Sequence, residues 1–475
     1  MGITRAFGPV AGEIAISAFA FPAKRPYRPA SNDTWEWRMG WWFKIDLWKR
    51  VMLGLALGAV TGLVLRQVMG AEAAGANVTA WAKPIGDAFI NLIKMLVVPL
   101  IFTTLVSGVL AMGDPKKLGS LGGRALAMYM CTTLIAVSFG LLMGSIIQPG
   151  TGFDTTTVNT ADMESARAQL AANPQPGSVA EQLMNTILSI IPTNPVAAMA
   201  SGDVLPIIFF AIMFGIGILV SGDAGKPLAN VMNSAAEAMM KLTLIVMETA
   251  PIGVFALMAW VMGDRGLTIL AVLGKMTAAL YIACALHMLF TFGFIIKVIL
   301  RLPLFDFFRG AVDAQAVAFS TSSSNATLPM TMSCATQNLG VSKSIASSVL
   351  PLGATINMDG TALYQGLIAL FAAQALGLPM NAGMYFTIAI MATLVSIGTA
   401  GIPSVSLFLA ATTLSVVGVS PEQTVLIIAL LFPFDRILDM MRTVTNITGD
   451  LAVATAVAKW EGEFDEEVFR ARDAV

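Results

Sequence analysis

The sequence predicts an all-α polytopic membrane protein with eight transmembrane segments and two re-entrant helical hairpins that form inverted repeats. Of its 475 residues, 56% are hydrophobic and 12% are charged, and the mean hydropathy is +0.77. This balance lies far from that of a soluble domain. Several apolar segments can each hold about 20 helical residues, enough to cross a bilayer. After residue 309, small polar residues interrupt the apolar runs, as in broken membrane helices.

Residues 1–43 are predicted to be a cytoplasmic tail. Their apolar run VAGEIAISAFAF is interrupted by Glu13 and is followed by the proline-rich, charged stretch PAKRPYRPASND. A signal peptide is the alternative, but it would need a longer apolar core and a small-residue cleavage site.

The first six spans are predicted from long apolar segments. These segments are 45–69, 84–112, 121–148, 182–220, 227–262 and 266–300. Pro192, Pro195 and Pro206 should divide the fourth segment into short helices. The linker 149–181 is polar and acidic, and we expect it outside the cell.

Lysine and arginine residues predict the orientation. They cluster before span 1, between spans 2 and 3, where Lys116, Lys117 and Arg124 lie, and after span 6. Because short cytoplasmic segments are enriched in these residues, both termini are predicted to be cytoplasmic in a cell (inner) membrane protein.

Three polar interruptions follow in the second half of the chain. They are STSSSNATLP from Ser320, NMDGT from Asn357 and SIGTAGIPSVS from Ser396. Unwound backbone at membrane depth survives only where protein or water supplies hydrogen-bond partners, so these stretches should line an internal site. Each proline-terminated hairpin precedes a helix with a nearby Asn and Asp. Matching broken elements in two repeats indicate the central site of a transporter.

The last apolar segment, Phe434 to Trp460, carries charges along one side. At 100° per residue, Asp435, Asp439, Arg442, Asn446 and Asp450 fall within an arc of about 80°. A charge at the bilayer centre costs about 2.5 to 3.5 kcal/mol, so this side should point into the bundle. One interpretation is a structural ion-pair network of Asp439 with Arg436 and Arg442.

The functional interpretation is a binding site for a charged small molecule. Arg442 suits a substrate carboxylate, because its planar guanidinium donates in pairs, and Asp439 could bind an ammonium. Asp359, Asp450, Asn357 and Asn446 offer the hard oxygen ligands that Na⁺ prefers. His287 lies in an apolar helix and is expected to be a hydrogen-bonded helix residue rather than a proton carrier.

Charge counting supports bound cations. Four aspartates (Asp359, Asp435, Asp439, Asp450) against two arginines leave a net charge of −2, which an acidic amino acid makes −3. A low-dielectric medium resists such a charge, so several cations should accompany the substrate.

Other function classes fit less well. The net charge of −1 and the absence of a long basic stripe give no indication of a nucleic-acid partner. Cys131, Cys284 and Cys334 form no CxxC motif, which argues against a zinc site or a disulfide framework. An aspartyl protease would need two carboxylates that share a proton, whereas Arg442 favours ionised aspartates. An ion channel remains an alternative. We expect no enzymatic activity.

Four motifs together resemble the dicarboxylate/amino acid:cation symporters, the glutamate transporter family, and most closely its prokaryotic acidic amino acid members. They are STSSSNATLPMTM from Ser320, LPLGATINMDGTALYQG from Leu350, SIGTAGIP from Ser396 and DMMRTVTNITGD from Asp439. The resemblance is close from about 309 to 460 and looser from 45 to 308. It implies the glutamate transporter fold, a homotrimer in which each protomer works alone, and an elevator-type mechanism.

The resemblance also implies a division of each protomer into a scaffold and a moving transport domain. The scaffold would comprise 44–112 (spans 1 and 2) and 182–262 (spans 4 and 5). The transport domain would comprise 121–148 (span 3), 266–301 (span 6), 309–340 (hairpin 1), 342–376 (span 7), 383–418 (hairpin 2) and 421–460 (span 8). Residues 461–475 would form a cytoplasmic C-terminal tail.

Site residues follow from the same resemblance. Arg442 would bind the side-chain carboxylate, Asp439 the amino group and Ser323 the main-chain carboxylate. Further substrate contacts would come from Thr361, Ile402, Ser406, Arg436, Thr443 and Asn446. One sodium site would use Gly353, Asn357, Asn446 and Asp450. A second would use Thr355, Ser396, Ile397 and Thr399. A third would use Tyr129, Thr132, Thr133, Asn357 and Asp359.

These features predict import of aspartate or glutamate by cation symport, with Na⁺ as the expected ion and H⁺ as the alternative. A C4-dicarboxylate symporter of the same family is the competing hypothesis. Members that carry dicarboxylates keep the arginine but lack an equivalent of Asp439, because their substrates have no ammonium group. Thr321 stands where archaeal members have an arginine, and Arg436 resembles its replacement. Ser404 and Ser406 stand where many relatives have a glycine-rich run.

Overall fold

The computed structural model describes Ile45, residues 47–111, 123–152, Leu188, residues 190–397, Thr399, Gly401 and residues 404–471. Within these residues the regular elements are helices, apart from one isolated β-bridge between Val341 and Phe464. The all-α prediction is therefore confirmed there. The predicted N-terminal tail, most of the linker 149–181 and Ile402 lie outside the described residues.

The helices of this part of the chain are numbered here in chain order. The first half contains α1 (Leu47–Met69), α2 (Ala71–Ala111), α3 (Gly123–Ile147), α4 (Pro195–Ser201), α5 (Val204–Val220), α6 (Lys226–Met247), α7 (Ala250–Arg265) and α8 (Thr268–His287). The second half contains α9 (Leu304–Thr321), α10 (Ser324–Ser333), α11 (Lys343–Ile356), α12 (Asp359–Ala375), α13 (Ala382–Ile397), α14 (Val405–Val416), α15 (Pro421–Glu461) and α16 (Glu466–Arg470). Two π-helical turns, Met288–Phe292 and Ile295–Ile299, extend α8.

Helix α2 is longer than predicted. It runs for 41 residues from Ala71, whereas the apolar pattern places its start at residue 84. The preceding residues are rich in alanine, the strongest helix former, so the helix continues past the apolar segment. Pro84 and Pro99 lie inside it. Prolines are tolerated in membrane helices where neighbouring groups replace the lost backbone hydrogen bond.

The segment predicted as 227–262 is two helices. Helices α6 and α7 are bent by 49° at a short break after Met247. Pro251 lies in the first turn of α7, where its missing N–H group costs no helical hydrogen bond. Pro195 and Pro206 likewise lie in the first turns of α4 and α5, so the prediction of short helices between 182 and 220 is confirmed for the described residues.

Four helices of the described residues are long and apolar enough to cross a membrane. They cover Lys49–Met69, Ala71–Leu110, Gly123–Ile147 and Ile269–Ile299, and the bent pair α6 and α7 would add a fifth span. The remaining predicted spans are interrupted or carry charges, so they do not meet the criteria of length and apolar composition for a membrane-spanning helix. The total of eight spans, the inverted repeats and the re-entrant placement of the hairpins stay predictions.

Glycines bring helices α1 and α7 into close contact. A methyl group at Gly54, Gly58 or Gly62 would lie 2.4 to 2.5 Å from carbonyl oxygens of α7. Because these glycines recur every four residues, they share one side of α1. The two helices can therefore pack backbone against backbone.

Two sets of helices surround the rest of the core. Helix α2 packs against α1, α5, α6 and α7, whereas α3 packs against α8, α12, α13 and α15. Helix α15 also contacts α9, α11 and α12, so its sides are covered by the elements that hold the polar interruptions. The division into a fixed and a moving domain stays a prediction.

The helices break at the polar interruptions that the sequence singles out. Helix α9 ends at Thr321, and its C-cap residue Ser322 is a non-glycine residue at φ +53°. Ser323 caps α10 by accepting a hydrogen bond from the Ala326 amide at 3.2 Å. Helices α11 and α12 are separated by Asn357 and Met358. Helix α14 begins after Ser404, which has φ +65°.

The C-terminal segment after α15 forms hydrogen bonds with residues near the start of α9 and just before α11. The amide of Asp465 donates to the Gly340 carbonyl at 2.8 Å, and the Ser342 amide donates to the Glu463 carbonyl at 3.2 Å. Arg309 Nη2 donates to the Ala471 carbonyl at 2.7 Å. Predicted as a tail, residues 462–471 thus form a strap across the ends of α9 and α11.

Candidate functional site

The polar side of α15 is buried inside the bundle. Asp435 and Arg442 are 0% exposed, Asp450 is 1% exposed, Asn446 is 3% exposed and Asp439 is 6% exposed. This is the orientation that the cost of a lipid-facing charge predicts. The neighbouring helices must therefore supply partners for these groups.

Arg442 lies at the centre of the charged groups. Its Nη2 donates to Asp435 Oδ1 at 2.9 Å and to Asp439 Oδ1 at 2.8 Å. Its guanidinium carbon lies 4.0 Å from the centre of the Tyr364 ring, a cation–π contact. The Tyr364 hydroxyl donates to Asp435 Oδ1 at 3.3 Å.

Three of the five N–H donors of Arg442 have no protein partner among the described residues. Nε and Nη1, which carry three N–H groups, are buried and form no hydrogen bond with the described residues. An unpartnered buried donor costs about 1 to 3 kcal/mol, and more when the group is charged. An anionic ligand would remove that cost.

Arg436 contacts the first broken element instead of an aspartate. Its Nη2 donates to the carbonyls of Ser320 and Thr321, both at 3.2 Å. Within the described part of the chain it forms no ion pair, so the network of Asp439 with both arginines is wrong in this respect. The charged network instead consists of Arg442, Asp439 and Asp435, which lies seven residues before Arg442. The spacing of two helical turns lets the long guanidinium side chain reach it.

A small polar pocket lies beside Asp439. It is lined by Ser322, Ser324, Met358, Thr361, Thr399, Gly401, Ser406, Asp439, Thr443 and Asn446. Five of these residues are predicted substrate contacts. The Asp439 carboxylate lines this cavity. Its Oδ2 accepts a hydrogen bond from the Ser404 amide at 2.9 Å.

The tips of the broken elements meet at Gly401. The Ser323 hydroxyl donates to the Gly401 carbonyl at 2.6 Å, and the Asn325 amide donates to the same carbonyl at 3.3 Å. A methyl group at Gly401 would lie 3.0 Å from the Ala354 carbonyl oxygen. Ser323 therefore joins the two hairpin tips here, and its predicted contact with a substrate carboxylate stays untested.

One predicted cation group comes together around Asn357. Its Nδ2 donates to Asp450 Oδ1 at 2.9 Å and to the Asn446 carbonyl at 3.2 Å. Its Oδ1 is buried without a partner among the described residues. A methyl group at Gly353 would lie 2.4 Å from Asp450 Oδ1, so the Gly353 backbone adjoins the same carboxylate.

The residues of the third predicted sodium site lie around Asp359. The Thr133 hydroxyl donates to Asp359 Oδ1 at 2.6 Å. Tyr129 and Thr132 do not bond to this carboxylate. Instead, the Tyr129 hydroxyl donates to the Val349 carbonyl at 3.2 Å, and the Thr132 hydroxyl donates to the Tyr129 carbonyl at 3.1 Å.

The remaining predicted group is less compact. The Ser396 carbonyl accepts a hydrogen bond from the Thr399 amide at 3.0 Å, which forms a turn at the end of α13, next to Ile397. Thr355 bonds its own helix through the Pro351 carbonyl at 3.0 Å, and no hydrogen bond of the described residues joins it to that turn.

The chemistry of these groups suits a hard monovalent cation. No cluster of three or more His, Cys, Asp or Glu residues in the described ranges could hold a metal ion. Each group instead combines one carboxylate, or none, with amide, hydroxyl and carbonyl oxygens. Such oxygen-only sets with little charge favour Na⁺ over soft transition metals.

The sequence analysis gave no role in the site to three side chains of this region. His287 is hydrogen-bonded, as expected, but its Nε2 lies 3.1 Å from Asp359 Oδ2, 72 residues away. Gln365 donates to the Ser406 carbonyl at 2.7 Å and accepts from the Thr413 hydroxyl at 3.0 Å. Tyr364 stacks on Arg442. Gln365 and Tyr364 lie within two turns of Asp359 on α12, and this spacing could have indicated that they belong to the site.

Comparisons with known proteins agree with the motifs. Residues 47–460 match the model of the sodium:dicarboxylate symporter family. A proton/sodium-glutamate symport protein of Geobacillus stearothermophilus is 36% identical over 424 residues, which cover 89% of this chain and 96% of the relative. A proton/glutamate-aspartate symporter of Escherichia coli strain K12 is 34% identical over 89% of this chain and 95% of the relative. A C4-dicarboxylate transport protein of Bradyrhizobium diazoefficiens is 33% identical over 90% of this chain and 92% of the relative.

Proposed function

The chain belongs to the sodium:dicarboxylate symporter family, and from this premise we propose that it imports aspartate or glutamate together with cations, most readily Na⁺. It is a multi-pass membrane transporter. The observation that carries the choice of substrate is the pairing of Arg442 with Asp439 at 2.8 Å beside a small polar cavity.

The proposal assigns complementary roles to these two residues. The three partnerless N–H groups of Arg442 favour a carboxylate, because binding one satisfies buried donors that have no protein acceptor. Asp439 lies on the cavity wall and offers a carboxylate to an ammonium group. A molecule with a second carboxylate and an amino group, such as aspartate or glutamate, satisfies both.

A C4-dicarboxylate would satisfy only one of them. One carboxylate of such a substrate could bind Arg442. Without an ammonium group on the substrate, however, the negative charge of the substrate would lie beside the negative charge of Asp439. Like charges in a low-dielectric site cost several kcal/mol. Names of relatives include both glutamate and C4-dicarboxylate transporters, so the Asp439 side chain is the feature that favours the amino acid.

Cation coupling follows from the charge of the site. Asp359, Asp435, Asp439 and Asp450 against Arg436 and Arg442 leave −2, and an acidic amino acid makes −3. The partnerless Asn357 Oδ1, the Asp450 carboxylate and the Gly353 backbone supply oxygen ligands next to each other. Cargo Na⁺ bound there would compensate the charge of the substrate. Protons are the competing coupling ion.

The proposal includes a homotrimer in which a transport domain moves against a scaffold. The motif resemblance supports this part. The hydrogen bond between Ser323 of hairpin 1 and Gly401 of hairpin 2 closes the site beside Asp439 within the proposed transport domain, which is compatible with such a movement. Crosslinking of purified protein in the membrane would test the trimer.

Uptake into proteoliposomes tests the function. An inward Na⁺ gradient at equal pH should drive accumulation of radiolabelled aspartate, and an inward proton gradient without Na⁺ should not. Excess glutamate should compete with the label far better than succinate. Accumulation driven only by protons would replace Na⁺ by H⁺ in the proposal, and full displacement by low succinate would favour the dicarboxylate function.

A further inference from the structure

Three helices meet at the Asp359 carboxylate. Thr133 of α3 donates to Oδ1 at 2.6 Å, and His287 at the end of α8 contacts Oδ2 at 3.1 Å through Nε2. The side chains of His287 and Asp359 are both 0% exposed. Each carboxylate oxygen thus has a donor from a different helix.

The hydrogen-bond pattern gives His287 the role of donor. An ionised carboxylate only accepts, so Nε2 carries the hydrogen towards Asp359. Thr291, one turn further along the chain, places its Oγ1 3.0 Å from Nδ1. The Thr291 hydroxyl can then donate to Nδ1, so both ring nitrogens have a hydrogen-bond partner.

Aromatic rings fix the plane of the imidazole. Phe292 meets it edge-on, with 4.7 Å between ring centres and 73° between planes. Phe139 of α3 lies at 6.0 Å and 67°. A ring held on both sides and at both nitrogens has little freedom to turn away from Asp359.

We propose that His287 is a positioning residue for cation binding, which holds the Asp359 carboxylate in the orientation that a cation ligand needs. This inference rests on the proposed function, in which Asp359 contributes to a sodium site. His287 does not line the cavity beside Asp439, and its hydrogen bond to a predicted cation ligand is the one to Asp359. Partners that orient metal ligands typically affect metal affinity by about 10- to 100-fold.

The first test replaces the donor. In His287→Leu, Asp359 keeps Thr133 but loses its second donor, and the half-saturating Na⁺ concentration for aspartate binding should rise about tenfold. The dissociation constant for aspartate at saturating Na⁺ should change less than about threefold. His287→Gln retains an N–H donor and should remain close to the wild type. Titration calorimetry of the purified full-length protein at stepped Na⁺ concentrations measures both quantities.

The control removes a different hydrogen bond from the same helix. The Tyr281 hydroxyl donates to the Ile437 carbonyl at 2.9 Å, which joins α8 to α15 without involving Asp359. Tyr281→Phe should lower thermal stability without raising the half-saturating Na⁺ concentration. An equal rise in Tyr281→Phe and His287→Leu would make the effect structural and would overturn the inference.

A gentler pair of variants covers the case in which His287→Leu does not fold. Thr291→Val removes the hydroxyl at Nδ1, whereas Thr277→Val removes one that bonds only the Leu273 carbonyl of its own helix, at 2.8 Å. Thr291→Val should raise the half-saturating Na⁺ concentration by about threefold, and Thr277→Val should leave it unchanged, since only the first loosens an orienting partner.

A double-mutant cycle and a second readout complete the test. If His287 acts through Asp359, His287→Leu should add nothing in the Asp359→Asn background, because coupled residues are non-additive. Melting temperatures in NaCl against choline chloride, without aspartate, report Na⁺ binding directly. If neither the melting temperature of the wild type nor its aspartate binding changes with Na⁺, the sodium coupling itself is refuted. If the wild type responds to Na⁺ and every His287 and Thr291 variant shows the same Na⁺ dependence of melting temperature and aspartate binding, only the role of His287 is refuted.

Discussion

Arg442 and Asp439 lie one helical turn apart on α15 and share a hydrogen bond of 2.8 Å, while the second oxygen of Asp439 accepts the Ser404 amide. The aspartate is thus tied to both the charged helix and the start of α14. This arrangement couples the groups proposed to bind the substrate to the second broken element, which lies over the cavity.

Asp439→Asn should change which substrates bind. The amide keeps the size of the side chain but loses the charge that holds an ammonium, so aspartate affinity should fall by about 2 to 5 kcal/mol. Succinate, which has no ammonium, should lose much less. Calorimetric titration of both ligands measures the difference. As a control, Asp306→Asn alters an aspartate whose partner is Arg309 and should leave both affinities unchanged.

Arg442→Ala should weaken aspartate binding by tens to thousands of fold, because it strands Asp435 and Asp439 and removes the carboxylate partner. Arg442→Lys should restore little, since an ammonium lacks the planar paired donors and the stacking on Tyr364. Tyr364→Phe is the matched control. It retains the ring and loses only a hydrogen bond of 3.3 Å to Asp435, so it should change affinity by less than about tenfold. Unchanged affinity in Arg442→Ala would contradict the assignment.

Asp450→Asn should reduce the dependence of binding on Na⁺. The carboxylate is 1% exposed and adjoins Asn357 and the Gly353 backbone, so its charge is available to a cation at that position. The slope of apparent aspartate affinity against Na⁺ concentration should decrease. Glu461→Gln, at the end of the same helix and paired with Arg124, should keep the wild-type slope. A slope that Asp450→Asn leaves intact would exclude this residue from the sodium sites.

Gln365→Leu should loosen the element that covers the cavity. The Gln365 amide holds α14 at the Ser406 carbonyl and at the Thr413 hydroxyl, and its loss leaves buried groups unpaired at about 1 to 3 kcal/mol each. Bound aspartate should dissociate faster, as measured by isotope exchange, and the melting temperature should fall.

Gln374→Leu is the control for that measurement. This glutamine lies on the same helix and bonds α3 and the following turn through the Gly144 carbonyl and the Gly150 amide. It should lower the melting temperature without faster dissociation. Equal dissociation rates in both variants would mean that Gln365 has only a general role in stability.

The sequence predicts the broken helices and the polar side of α15 well, because both follow from the cost of polar groups in lipid. The breaks at Ser322 and Asn357 lie where small polar runs interrupt apolar segments. The buried side of α15 follows from the spacing of its charges along one helix. Local pattern and helical periodicity suffice for such features.

Contacts between distant helices were outside the reach of the sequence. The contact of His287 with Asp359 spans 72 residues and depends on how α8 packs against α12. The choice of Asp435 over Arg436 as a member of the Arg442 network depends on side-chain direction. Helix α2 begins early because alanine propensity extends it beyond the apolar segment. Tertiary packing and local propensity, rather than hydropathy, decide these details.

The central claim is that the buried charges of α15 bind an acidic amino acid together with cations. Calorimetric titration of L-aspartate into purified wild-type protein, first in NaCl and then in choline chloride, tests it most directly. We predict saturable heat of association in NaCl that is lost or strongly reduced in choline chloride, and a smaller response to succinate. No heat with L-aspartate or L-glutamate in either salt, at neutral or acidic pH, would contradict the claim.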